Sequence, residues 1–369
     1  MRQPNKENKK QLIAWIGLLS LLLGIMFING TVRSSRLLPV LPNKPLIFPE
    51  DYGAHPDFRL EWWYITGWLD TEDKKKLGFQ VTFFRYATDL NANNPSRFAA
   101  KNLIIAHLAL SDPERKRLMH SEKTAREVFD LAYSKQGNVD VKLDDWFLVR
   151  DENGIYKVDM RTDELGLQLS LQPTQKIMLQ GDQGFSRKGP KPEQASYYYS
   201  EPHLNVTGTV FRKQQSTAVN GIAWLDHEWS TAYLATDAEG WDWTGLNLDD
   251  GSALMMFQIR GKKNERVWAY AALRDASGKM HFFSPEEIEF TPIRTWKSPH
   301  TEAVYPVAMR IRTGNIEWQI LPLMDDQELD SRQSAGAVYW EGAVTLMRDN
   351  KMVGRGYLEL TGYVTPLAL

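Results

Sequence analysis

The chain has no cysteine. Disulfides, thiolate metal sites, cysteine nucleophiles and acylation on a cysteine are therefore excluded. A charge excess is also missing, since 44 basic side chains stand against 46 acidic ones. Nothing here resembles the basic stripe that neutralises phosphates, so nucleic acid is not expected as a partner. No G-x-S-x-G elbow, G-x-x-x-x-G-K-[ST] loop or G-x-G-x-x-G fingerprint occurs. Serine-hydrolase and nucleotide chemistry thus lack their usual signatures, and no cofactor is expected.

Tryptophan is present in abundance. Thirteen copies of a residue that lines cores, apolar pockets and membrane interfaces point to a pocket. The 369 residues suit two domains at about 100 to 200 residues each. Before them, residues 1–10 carry four basic side chains against one Glu, and Leu12 to Ile28 contains no charge. This is the pattern of a signal peptide or an uncleaved anchor with its basic end in the cytoplasm. The absence of a clear A-x-A site favours the anchor. The body is then expected outside the cytoplasmic membrane, in the periplasm, tethered or secreted. The expected division is 1–35 for the leader, 36–234 for a first β domain and 235–369 for a second.

The body reads as sheet. In LGLQLSLQ, Leu165, Leu167, Leu169 and Leu171 fall on one face, the period of a half-buried strand. Turns are expected at Glu152–Gly154 and Asp249–Gly251, where Asn and Gly tolerate positive φ. The best helical stretch is Ser121 to Ser134, with Ser121 and Thr124 as caps. An internal repeat supports two similar halves. Trp63, Thr66, Gly67, Phe79 and Gln80 recur 178 residues on as Trp241, Thr244, Gly245, Phe257 and Gln258. Ala106–Asp112 resembles Ala269–Asp275, which implies an extra loop in the first copy around Asp89 to Lys101. Gly221, Trp224, Leu225 and Asp226 echo Gly354, Tyr357, Leu358 and Glu359. The expected architecture is all-β, two lipocalin-like antiparallel barrels in tandem behind an N-terminal helix.

The densest chemistry lies in GIAWLDHEWS, where Asp226, His227 and Glu228 stand between Trp224 and Trp229. On a strand, Asp226 and Glu228 share one face and His227 takes the other. An Asp enclosed by indoles loses solvation in its charged form, so its pKa rises towards that of a general acid. His227 could orient water or act as the base, and a buried structural network is the alternative. In EWWYITGW, alternation sends Trp62 and Tyr64 to one side and Glu61 and Trp63 to the other, and Glu61 could meet Asp226 or His227. Trp63 could equally plug a barrel, and Trp241 and Trp243 read as core. Tyr198 and His203, in SYYYSEPHL, are candidates to line a cavity. Metal evidence is thin. No His pair has helical spacing, and a set drawn from His55, His203, His227 and a carboxylate is the only one available, so no metal site is expected.

EWWYITG, SYYYSEPHL, WLDHEWS, GWDWTGLNLDDG, EFTPIRTWKSP and YWEGAV followed by GYLELTGY together resemble the AttH-like family, from about Phe48 to Tyr363. That group is related to carotenoid 1,2-hydratases and is often labelled predicted secreted hydrolase. The resemblance implies paired lipocalin-like barrels, cofactor-free addition of water to an isoprenoid double bond and an association with ABC-transporter components. It also implies Asp226 as the acid, Trp224 and Trp229 as cation–π partners, and His227 or His203 as the group placing the water. The residues after Asp226 and His227 depart from the hydratases. Two readings follow: a hydratase or hydrolase acting on an apolar ligand, or a non-catalytic lipid carrier that serves a membrane transporter.

Overall fold

The computed structural model describes residues 37–88, 96, 99–232, 234 and 237–367. The leader and most of the proposed extra loop lie outside them. Among the described residues no helix is long and apolar enough to cross a membrane.

The chain is all-β and antiparallel, in two sheets. The first holds β1 (Leu60–Thr71), β2 (Lys76–Ala87), β3 (Asn102–Asp112), β4 (Arg117–Arg126), β5 (Ala132–Ser134), β6 (Asp140–Leu143), β7 (Trp146–Arg150), β8 (Tyr156–Arg161), β9 (Leu165–Pro173), β10 (Met178–Leu179), β11 (Phe185–Arg187), β12 (Ala195–Arg212) and β13 (Gln215–Ser230). Its order is β4-β3-β2-β1-β13-β12-β9-β8-β7-β6-β5, with β10 and β11 also on β12. The second holds β14 (Ala238–Leu248), β15 (Ala253–Gly261), β16 (Arg266–Arg274), β17 (Met280–Phe283), β18 (Ile288–Lys297), β19 (Val304–Thr313), β20 (Ile316–Pro322), β21 (Glu328–Ser331), β22 (Ala337–Arg348) and β23 (Lys351–Leu360). Its order is β17-β16-β15-β14-β23-β22-β20-β19-β18, with β21 on β22.

Both sheets curl around their own cores. In the first, Lys123 on β4 reaches Asp144 in the β6–β7 turn at 2.9 Å, so the two ends of the sheet meet. In the second, Arg266 on β16 donates to the Ile288 carbonyl on β18. The leucines at 165, 167, 169 and 171 are buried in the first core, as their alternation requires. The Glu152–Gly154 and Asp249–Gly251 turns also form, with Gly154 and Gly251 at φ of 80° and 88°.

The helix expected over Ser121–Ser134 does not form. Ser121–Arg126 continues β4, paired residue for residue with β3, and Ala132–Ser134 is β5. Helix-favouring side chains there sit on a strand whose backbone partners are already laid down by β3, and tertiary pairing overrides propensity.

A third apolar cluster lies between the sheets. Tyr64, Trp68, Tyr198 and Trp224 of the first pack against Trp243, Met255, Phe257 and Tyr357 of the second. The sequence repeat is only partly preserved in space. Trp224, Leu225 and Asp226 match Tyr357, Leu358 and Glu359 face for face: the first of each trio packs in the seam and the second in its own sheet's core. The first-strand repeat is out of phase by one residue. Trp63 and Phe79 point into the first core, whereas Trp241 and Phe257 point into the seam. Because strand faces alternate with period two, an odd slip carries identical letters to opposite sides.

Candidate active site in the seam

A cavity of about 330 Å³ opens in this seam and not inside either sheet's core. It is walled by the outward faces of β1, β2, β3 and β13 on one side and of β14, β15, β22 and β23 on the other. Alternation on β1 puts Trp62 and Tyr64 on the cavity, and register places them opposite Glu228 and Asp226 of β13. Tyr198 of β12 and the buried Lys188 complete that side. The second sheet contributes Trp241, Trp243, Phe257, Tyr339, Glu341 and Glu359.

Asp226 is held by three donors. Tyr198 donates its hydroxyl to Oδ2 at 2.6 Å, and Ser200 and the Trp224 indole donate to Oδ1 at 2.5 and 2.7 Å. The Trp243 indole in turn donates to the Tyr198 oxygen at 3.1 Å, which links the acid to the second sheet. Burial disfavours the carboxylate strongly enough that, even with these three donors stabilising it, the pKa is pushed up to about 7. Glu228 is also raised by burial, against the pull of the Lys188 ammonium 2.8 Å away and of the Ser196 hydroxyl. Lys188 is lowered by the same burial, and it lies over the Phe257 and Tyr198 rings.

Across the cavity Glu359 is pushed up to about 7, chiefly by burial; the Trp241 indole opposes the shift, while Asp226 and Glu228 add to it. Glu341 faces Glu359 directly across the β22–β23 ladder. Burial and this neighbour hold it well above the usual carboxylate range. Neither oxygen of Glu341 has a well-formed hydrogen bond, nor does the Tyr64 hydroxyl close beside it.

Four of the ten residues singled out in the sequence line this cavity: Asp226, Glu228, Tyr64 and Tyr198. Trp224 stands behind Asp226 as a donor. The others are elsewhere. His227, Glu61, Trp63 and Trp229 face the first core. There Glu61, fully buried, accepts from Arg85 at 2.9 Å, His227 at 2.9 Å and His55 at 2.7 Å, so it meets His227 but not Asp226. Burial works against its charge, yet the pull of His55, His227 and Arg85 holds it well below the ordinary range. A similar buried pair, Asp242 with Arg260 at 2.9 Å, lies among the inward side chains of the second sheet. Glu61–Arg85 thus has a buried counterpart in the second half. His55, Glu61 and His227 are the one group of the described residues whose ligand atoms could converge on an ion, but in this arrangement they are one another's hydrogen-bond partners. His203 takes no part in it. It sits at the bulge where β12 slips register between Glu201 and Leu204, at φ 56°, and bonds to the Ser252 carbonyl at 2.8 Å and to Asn247. Neither His227 nor His203 reaches the cavity.

Sequence reasoning missed Lys188, Trp62, Trp241, Trp243, Glu341 and Glu359 as cavity residues. The echo between Asp226 and Glu359 was the available signal, because the two hold matching seam-facing positions on β13 and β23.

The family model described as AttH-like matches residues 39–363. A protein assigned to AttH from Nitrosomonas europaea, solved at 2.00 Å, is 60% identical over 89% of this chain and 100% of its own, with a TM-score of 0.84. Kievitone hydratase from Nectria haematococca shares the fold at 14% identity, covering 90% of this chain and 97% of its own, with a TM-score of 0.67. No curated protein matches. The motifs spread along both sheets, the match over nearly all described residues and the near-identical architecture agree: the chain belongs to the AttH-like family.

Proposed function

We propose that the protein admits an apolar molecule to the seam cavity and that Asp226 protonates a carbon–carbon double bond in it, the first step of adding water. The observation that carries this is Asp226 itself: a carboxyl near pKa 7, fixed by three donors and facing an aromatic-walled space. A group half-protonated near neutrality can both give and take a proton. The proton leaves Asp226 for one alkene carbon, water's oxygen bonds to the other, and water's spare proton returns to the Asp226 carboxylate. Alkene and water become an alcohol, and the acid is regenerated. Trp62, Trp241 and Trp243 offer π faces to the intermediate cation. A hydratase on the same fold supports the reaction class. The basic, then apolar, N-terminus supports a site outside the cytoplasmic membrane, and an ABC-transporter component fits as a partner there.

Incubation with isoprenoid alkenes in heavy-oxygen water tests this by mass spectrometry. Wild type is expected to place the label in the product alcohol. Asp226→Asn should bind the alkene yet lose turnover by about a hundredfold or more. Binding without labelling by wild type would refute the chemistry and leave a carrier.

A further inference from the structure

The cavity holds more acid than its cations can match. Among the described residues Lys188 is the one cationic side chain on its walls, and its ammonium is bound to Glu228 at 2.8 Å. Asp226 has its three donors and Glu359 has the Trp241 indole. Glu341 is different. It is 2% exposed, both oxygens lack a well-formed hydrogen bond among the described residues, and it faces Glu359 on the neighbouring strand. The adjacent Tyr64 hydroxyl interacts with Glu341, but short of good hydrogen-bond geometry. Buried polar atoms without partners call for an explanation in folded proteins, and one that faces a cavity can take its partner from outside the chain.

A ligand that only donates one hydrogen bond would leave the second acid unmatched. A positive centre matches both carboxyls at once, and the flanking rings add to it, because indole faces attract cations. Trp62, Trp241 and Trp243 border the same space. We propose that Glu341 and Glu359 form a receiving end for positive charge, so that the cavity takes apolar molecules bearing a cationic centre, permanent as in an ammonium or transient as in a protonated alkene. This rests on the reading of the seam cavity as a ligand site. Burial and Glu359 favour the protonated form of Glu341, with Tyr64, Tyr339 and Tyr357 close by. A cation beside it would favour the carboxylate, with any displaced proton passing to solvent, and make it a counter-ion.

The test is calorimetric titration of the full-length protein with (hydroxyhexyl)trimethylammonium and with its neutral isostere, in which carbon replaces nitrogen. The cation is expected to bind about tenfold more tightly or better. Glu341→Gln should bring the ratio of the two affinities close to one. Equal or weaker binding of the cation by wild type overturns the inference. If only the neutral isostere binds, the cavity remains a ligand site without a charge-receiving end; if neither binds, both readings fall.

Discussion

Asp226 and Glu359 are linked to stability by the same burial that fits them to hold protons. Each binds a proton more tightly in the fold than in the unfolded chain, where the ordinary values are 3.8 and 4.5 and the folded values about 7. Between about pH 4 and 7 the native state therefore holds the extra protons, and their contribution to stability is lost as pH rises through that window. Asp226→Asn removes one such group. Its stability relative to wild type should climb with pH from 4 to 7, by at most about 4 kcal/mol, and level off above. Urea denaturation at a series of pH values checks this, and a constant difference would show that Asp226 does not titrate there. At this scale the sequence was a good guide where local pattern decides the environment. A desolvated acid was foreseen at Asp226 and alternation placed Glu228 beside it, but of the two flanking indoles only Trp224 touches the acid, Trp229 lying in the first core. It was a poor guide to Glu341, whose isolation arises from a cross-strand neighbour and an opposing sheet that no local pattern specifies.

At the scale of strands, the contact between sheets is set by how closely backbones approach. Gly78 on β2 faces the second sheet, and a Cβ built there would lie 2.5 Å from the Ala343 Cβ and 2.8 Å from the Tyr357 hydroxyl. Both are firm neighbours, because Ala343 and Tyr357 are paired within the ladder and fully buried. Gly78→Val should destabilise the protein by about 1–3 kcal/mol through overpacking. Because it separates the cavity walls, it should also weaken ligand binding, a combination measurable by thermal denaturation and titration. Strands and hairpin turns were legible because alternating leucines and Asn-Gly or Asp-Gly pairs carry their geometry locally. Face assignment was not. The bulge between Glu201 and Leu204 reverses which residues of β12 face inward, from Tyr197 and Tyr199 to Leu204 and Val206. The one-residue slip between β1 and β14 likewise turns matching tryptophans to opposite sides. The expected helix failed for a related reason, since its sequence preference was weaker than the pairing offered by β3.

Over the whole molecule, polar ties stitch the two sheets together along the length of the seam. Trp68 donates to the Gly356 carbonyl at 3.0 Å, Asn247 to the Ala223 carbonyl at 3.1 Å, and His107 meets Tyr339 and Ser334 at 2.9 Å each. These buried contacts span the apolar cluster that surrounds the cavity, so neither sheet can unfold without stranding polar groups on the other. Calorimetry should accordingly show one cooperative transition for both sheets, with matching calorimetric and van't Hoff enthalpies. Two resolved transitions would mean that the seam is weaker than its bonding implies. The tandem arrangement was legible from the repeat, but the location of the cavity was not, because each half alone reads as a closed body with a filled interior. The seam also has a history within the life of each molecule. All thirteen strands of the first sheet are complete once Ser230 has been synthesised, whereas β23 ends about 130 residues later. At roughly 5–20 residues per second, a ribosome needs on the order of ten seconds to make that stretch. If the first sheet folds as it emerges, Tyr64, Trp68, Tyr198 and Trp224 stay uncovered through that interval, because their packing partners come from the second sheet. The face that later walls the seam cavity is thus, during synthesis, apolar surface of the kind chaperones cover.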